Sequence, residues 1–120
     1  MGNPFVHVEL MATDVGKAKA FYGKLFDWKL EDMPMPDGTY TMIRVGDGTG
    51  GGLMKNPIPG GSSSFVPYVL VDDVKAATRK ATSLGAKMMK DVTEVPGAGS
   101  FTLITDPTGA TLGLWQPKKA

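Results

Sequence analysis

At 120 residues, with 13 basic against 12 acidic side chains and a formal charge of +1, the chain has the size of one compact domain. That charge balance leaves no electrostatic footprint for nucleic acid or an anionic membrane. Cysteine is absent, which excludes disulfides, thiolate nucleophiles and thiolate-held metals together. The first residues hold no basic segment followed by an apolar run, and Val6 stands where myristoylation of Gly2 would want Ser or Thr. No apolar stretch approaches the roughly 20 residues of a membrane-spanning helix. The expectation is a cytoplasmic protein.

The order of elements is set by a repeat. Phe5-Val6-His7-Val8-Glu9-Leu10 is echoed by Phe65-Val66-Pro67-Tyr68-Val69-Leu70, and Asp14-Val15 by Asp73-Val74. Further on, Tyr40-Thr41-Met42-Ile43 is echoed by Phe101-Thr102-Leu103-Ile104, and Gly52-Leu53-Met54 by Gly113-Leu114-Trp115. Self-similarity carried along the chain is the mark of a tandem duplication. Aligned on the first strands, the halves set His7 against Pro67. Halves of about 60 residues bury too little apolar surface to stand alone and should share a core.

In chain order, residues 4–10 alternate as a strand, with Phe5, His7 and Glu9 on one face and Val6, Val8 and Leu10 on the other. Asp14 can cap a helix that buries Val15, Ala18, Tyr22 and Leu25, with Lys17, Lys19 and Lys24 toward water. Residues 28–33 form a strand stopped by the turn Pro34-Met35-Pro36-Asp37-Gly38. Residues 40–45 follow as a third strand, 46–50 as a glycine-rich loop and 51–54 as a short fourth strand. Residues 55–64 hold Pro57, Pro59, Gly60, Gly61 and three serines, the composition of a linker.

The second half repeats the order. Residues 65–71 are a strand, and Asp72 or Asp73 can cap a helix burying Val74, Ala77, Ala81 and Leu84, with Gly85 at its C-terminal end. Strands follow over 87–95, 100–105 and 110–116, the last two joined by the turn Asp106-Pro107-Thr108-Gly109. The helices need partners, and Val6, Val8, Leu10, Val66, Tyr68 and Leu70 supply one face, with Leu53, Leu112 and Leu114. The opposite face then carries Phe5, His7, Glu9, Tyr40, Met42, Arg44, Gly52, Met54, Pro67, Val69, Phe101, Leu103, Gly113 and Trp115. Apolar and aromatic with a few polar groups, it has the composition of a small-ligand pocket.

These paired modules, with Phe21-Tyr22 and Leu25-Phe26 in the first helix and Asp106-Pro107-Thr108-Gly109 before the last strand, resemble the vicinal oxygen chelate superfamily of glyoxalases, bleomycin-resistance proteins and extradiol dioxygenases. The resemblance covers essentially the whole chain. It implies an α+β fold, two tandem βαβββ modules whose curled sheets enclose a cleft with the helices outside, often completed by a homodimer. One domain over 1–120 then comprises module one (4–54), the linker (55–64) and module two (65–117). Metal-dependent members place ligands on the first and last strand of each module. Those positions fall on His7, Pro67, Gly52 and Gly113, of which His7 alone has a donor side chain. The resemblance thus points to a member with no metal and no other cofactor.

The residues left for chemistry are few. His7 suits proton transfer, and its ordinary alternative is a hydrogen bond to Glu9 or Tyr40. Glu9 is a polar lining group, a dimer contact or a second catalytic group. Arg44 can anchor an anion or pair with Glu9. Gly52 and Gly113 leave space where larger side chains would fill the cleft. Trp28, Trp115, Tyr40, Phe101, Met42 and Met54 can stack on a flat ligand or simply pack. Two functions follow. The first is metal-free binding of a small, largely apolar or aromatic molecule in the cleft, similar to bleomycin-resistance proteins. The second is a lyase, isomerase or dioxygenase using His7 as base or residual ligand. An interaction module with a filled cleft is a third, weaker reading.

Overall fold

The computed structural model describes residues 2–35, 38–58 and 60–119. Their element order is β1 (Phe5–Ala12), α1 (Val15–Leu25), β2 (Lys29–Met35), β3 (Gly38–Arg44), β4 (Gly51–Lys55), β5 (Ser64–Leu70), α2 (Val74–Ser83), β6 (Lys87–Val95), β7 (Gly99–Thr105) and β8 (Thr111–Pro117). This is βαβββ twice over. The first module runs β2-β3-β4-β1 and the second β6-β7-β8-β5, so each last strand lies between its module's first and third. In both, the first and last strands run parallel and the remaining neighbours antiparallel. Pro36, Asp37 and Pro59, part of the expected turn and linker, lie outside the described residues.

The chain forms two compact units, residues 7–66 and residues 2–6 with 67–119. Their boundaries cut through β1 and β5 rather than through the linker. The N-terminal segment is held in the second unit by backbone, the Leu70 N–H donating to the Pro4 carbonyl at 2.9 Å. The Asn3 amide donates back to the Leu70 carbonyl at 2.8 Å.

In the unit of residues 7–66, Leu10, Ala12, Ile43 and Leu53 form the buried core, and Val15, Ala18 and Tyr22 of α1 pack onto it. Asp14 caps α1 by accepting from the Lys17 N–H at 3.0 Å, which satisfies one of the donors that every helix start leaves open. Lys19 does not simply face water, since its ammonium grips both oxygens of Asp32 at 2.9 Å. Asp32 also accepts from the Thr41 hydroxyl at 2.7 Å, so helix, second strand and third strand meet at one carboxylate. Leu25 departs from the expected stripe. It is 54% exposed, one residue before the C-cap at Phe26, where the chain leaves the helix.

In the other unit, Val74, Ile104 and Leu114 are the core, with Ala77 and Ala81 of α2 against them. Asp73 repeats the cap of Asp14, accepting from the Ala76 N–H at 3.0 Å with nearly the same backbone angles. The Val74 N–H is taken by the Gln116 side chain of β8 at 2.8 Å. Leu84 is the C-cap and is 70% exposed, not buried. The buried residues of α2 are Val74 and Thr78, and the Thr78 hydroxyl meets that of Thr102 at 2.9 Å in the core. Gly85 follows with φ +103°, the left-handed turn that ends a helix. Asp106 organises the turn before β8 by accepting from the Thr108 hydroxyl and from the Thr108 and Ala110 N–H groups.

Two stability tests follow. Leu53 is 1% exposed and Leu25 54%, so Leu53→Ala should cost about 2–5 kcal/mol in urea denaturation and Leu25→Ala under about 0.5 kcal/mol. The Thr108 hydroxyl, and then the backbone donors, hold the Asp106 carboxyl below its ordinary value of 3.8. The folded state therefore binds fewer protons than the unfolded one near that pH. The resulting stability is present above it and lost as pH falls through the folded value. Asp106→Asn should flatten the fall in Tm on acidification from about pH 5 to about pH 3.

Candidate functional site

The face turned away from α1 gathers most of the residues singled out in the first half. Register pairs Glu9 with Gly52 and Gly52 with Met42 across β1, β4 and β3. Strand alternation then puts Tyr40, Arg44, Met54 and Met11 on that same face. Its centre is a three-member hydrogen-bonded cluster. Tyr40 Oη donates to Glu9 Oε1 at 2.8 Å. His7 Nε2 lies 2.8 Å from Tyr40 Oη and 3.3 Å from Glu9 Oε1. The phenol's one proton goes to the carboxylate, so the Tyr40 oxygen receives the His7 Nε2–H, and the donors run His7 to Tyr40 to Glu9. The side chains of His7 and Glu9 are 23% and 4% exposed, placing the imidazole at the mouth of the cluster and the carboxylate at its floor. Both partners expected for His7 are therefore engaged.

Arg44 does not reach Glu9. It pairs with Glu31 of β2 at 2.8 Å, and both side chains are more than half exposed, where such a pair contributes little. The space at Gly52 is also not left open. A Cβ there would fall on the Tyr40 hydroxyl, so the missing side chain makes room for the tyrosine. Trp28 lies on the other side, in the α1 core, stacked with Tyr22 at 5.7 Å between ring centroids. Phe5, on the first strand, is 64% exposed.

In the unit of residues 2–6 and 67–119, β7 and β8 carry Phe101, Leu103, Gly113 and Trp115 on the face away from α2, with Phe101 opposite Trp115 and Leu103 opposite Gly113. Tyr68 belongs to this set. It pairs with Gly113, its ring lies over the Gly113 α-carbon, and it meets Phe101 edge-on at 5.8 Å. This corrects the expected faces of β5. Val69 pairs with Leu114 of the α2 core and Leu70 with Trp115, so Tyr68 and Leu70 face away from the helix and Val69 toward it.

The alignment of the halves shifts accordingly. Glu9 and Tyr68 both pair with the last-strand glycine of their module, a spacing of 59 residues that the caps Asp14 and Asp73 share. His7 corresponds to Val66, not Pro67. The donor count at these positions is unchanged, because valine has none either. The signal was present in the two aspartates. Tyr40 likewise corresponds to Phe101, so Glu9, Tyr40 and Gly52 of one module answer Tyr68, Phe101 and Gly113 of the other.

Among the described residues, no three His, Asp or Glu side chains converge as metal ligands would. An open groove of about 450 Å³ between α2 and β6, lined by Lys75, Thr78, Arg79, Thr82, Met88, Asp91 and Val92, holds none of the residues singled out from the sequence. No helix among the described residues is long and apolar enough to cross a membrane.

A model of the Glyoxalase/Bleomycin resistance protein/Dioxygenase superfamily matches residues 5–114. The chain is 36% identical over 119 residues to the "Putative glyoxylase CFP32" of Mycobacterium bovis, covering 93% of this chain and 45% of that protein. It thus spans about half the length of the curated relatives it matches first. Among solved structures it resembles a hypothetical protein of Bacillus halodurans C-125, with a TM-score of 0.74 and 14% identity over 100% of this chain and 98% of that one. It also resembles methylmalonyl-CoA epimerase from Mycobacterium tuberculosis, with a TM-score of 0.70 and 17% identity over 96% and 88%. At such identities these structures report the fold.

The overlap at Gly52 gives a direct test. Gly52→Ala should displace the Tyr40 ring and destabilise the protein by about 1–3 kcal/mol. Most of that penalty should vanish when the same change is made in a Tyr40→Ala background, as a double-mutant cycle by urea denaturation would read.

Proposed function

The chain belongs to the glyoxalase/bleomycin resistance protein/dioxygenase superfamily, and from that premise we propose that it binds a small, largely apolar or aromatic molecule without a metal ion. The observation that carries this reading is the Tyr40 hydroxyl lying where a side chain on Gly52 would begin. Metal-dependent members draw ligands from the first and last strand of each module. Here those positions are His7, Val66, Gly52 and Gly113, and an open catalytic site keeps about three protein ligands. His7 with Glu9 beside it makes two. The residues present do not fit a divalent ion.

What remains suits binding by shape. The faces away from the helices offer half-buried Met42 and Met54 in one unit, and half-buried Phe101 and Trp115 in the other, over buried Tyr68 and Leu103. Thioether and aromatic surfaces of this kind bind flat apolar compounds by area and stacking. Sequestration, as in bleomycin-resistance proteins, needs no reactive group. A second reading is favoured by the 2.8 Å contact of His7 with Tyr40. A histidine oriented by a hydrogen-bonded phenol is a workable general base, which would make the protein a lyase, isomerase or dioxygenase relative acting through His7. A homodimer, with each copy offering the same faces, is compatible with both readings.

Purified protein incubated with Ni, Zn, Mn or Fe(II) and then desalted should retain less than one ion per chain, and aromatic compounds at micromolar concentration should quench Trp115 emission, the quench disappearing in Trp115→Phe. One tightly held ion per chain, lost in His7→Ala, would overturn the metal-free reading. Turnover abolished by His7→Ala in a folded protein would promote the enzyme.

A further inference from the structure

Glu9 is 3% exposed, yet its two carboxylate oxygens are treated differently. Oε1 accepts from Tyr40 and lies near His7. Oε2 is buried and receives no hydrogen bond in the structure. A carboxylate has about four acceptor positions, and leaving a buried one unmet costs free energy that native structures rarely tolerate. The cluster cannot supply the missing donor, because the Tyr40 proton is committed to Oε1 and the His7 Nε2–H to the phenol oxygen. Nor can the neighbours across the sheet. Gly52 pairs with Glu9, Met42 with Gly52, and neither carries a side-chain donor. Met11 and Met54, paired with each other on the same face, add only thioethers.

Resting on the ligand-binding reading above, the geometry points to Glu9 Oε2 as the polar anchor for the ligand, and so to a ligand class: a small apolar body bearing one O–H or N–H donor, a hydroxyl or a protonated amine. Met42 and Met54, both half-buried on that face, accept the apolar part, and Oε2, closed over in the structure, fixes its orientation once the ligand displaces its cover. An anionic group at the same place meets a carboxylate of like charge and is excluded.

Four probes with one ring separate these outcomes: toluene, benzyl alcohol, benzylamine and benzoate, titrated into ¹³C-methionine-labelled protein while the Met42 and Met54 methyl resonances are followed. Benzyl alcohol, benzylamine or both should bind about 10-fold or more tightly than toluene, with benzoate weakest. A gain with benzylamine alone identifies a cationic ligand, and a gain with both a neutral donor. In Glu9→Leu the donor advantage should collapse to the affinity of toluene, and Glu9→Gln, which keeps shape and one carbonyl, should lose most of it. Toluene binding as well as the donor probes overturns the anchor while leaving apolar binding intact, and benzoate binding tightest does the same. A donor preference that survives Glu9→Leu also overturns it. Absence of any shift with all four probes overturns both the anchor and the ligand-binding reading on this face. The wild-type series is decisive even if a Glu9 variant fails to fold.

Discussion

Each module turns on a last-strand glycine with a ring laid over it. Glycine is the one residue whose α-carbon another side chain can lie against at that distance. Gly52 admits the Tyr40 hydroxyl and Gly113 admits the ring of Tyr68. The two tyrosines arrive from different strands, β3 in one case and β5 in the other. What is preserved between the halves is the slot, not the residue that fills it. In module one the ring leans in from the side and leaves the first-strand position to Glu9, which its hydroxyl then satisfies at one oxygen. In module two the first-strand position is itself the ring, and its neighbour is Phe101.

The duplication has therefore diverged into a polar face and an apolar one on a common frame. His7, Glu9 and Tyr40 correspond to Val66, Tyr68 and Phe101, so the imidazole and the carboxylate have no counterpart and the Tyr68 hydroxyl is the one polar group of the second set. Helix capping, by contrast, has barely moved: Asp14 and Asp73 accept from the third helical residue with matching geometry. Caps are bound by backbone requirements that any helix start must meet, whereas the faces away from the helices carry no such requirement. The same contrast separates Asp106, whose turn is satisfied locally by Thr108 and Ala110, from Glu9, which is left with an unmet oxygen.

Much of this was legible in the sequence because duplication, caps and glycines speak locally. Both helices begin at their aspartates, Gly85 ends the second, and β6 has the bounds its alternation predicts. The phase of β5 was not legible. Its residues are apolar or aromatic on both sides, so a period of two carries no information about which side is which, and a slip of one reverses every face. Tyr68 was lost to the wrong side for that reason, and only the 59-residue spacing of the caps could have recovered it. Leu25 and Leu84 continue the helical stripe on paper, but each sits at a helix end where the neighbouring sheet no longer covers it. Thr78 and Thr102 went unread because a buried hydroxyl pair looks, in one dimension, like two surface positions. Tyr40 over Gly52 was hidden because it joins residues from different strands through a shape that no spacing encodes.

The placement of residues 2–6 with 67–119 bears on the order in which the protein can be made. A ribosome releases Pro4 well before Leu70, whose N–H its carbonyl accepts. The unit of residues 7–66 has all its strands in hand once β5 begins to emerge, while the other unit joins residues 2–6 to residues made only after residue 66. Long-range closure of this kind is slow because the intervening chain must be ordered first. Residues 2–6 are thus a late-docking segment, and a change at Asn3 would be felt by the second module.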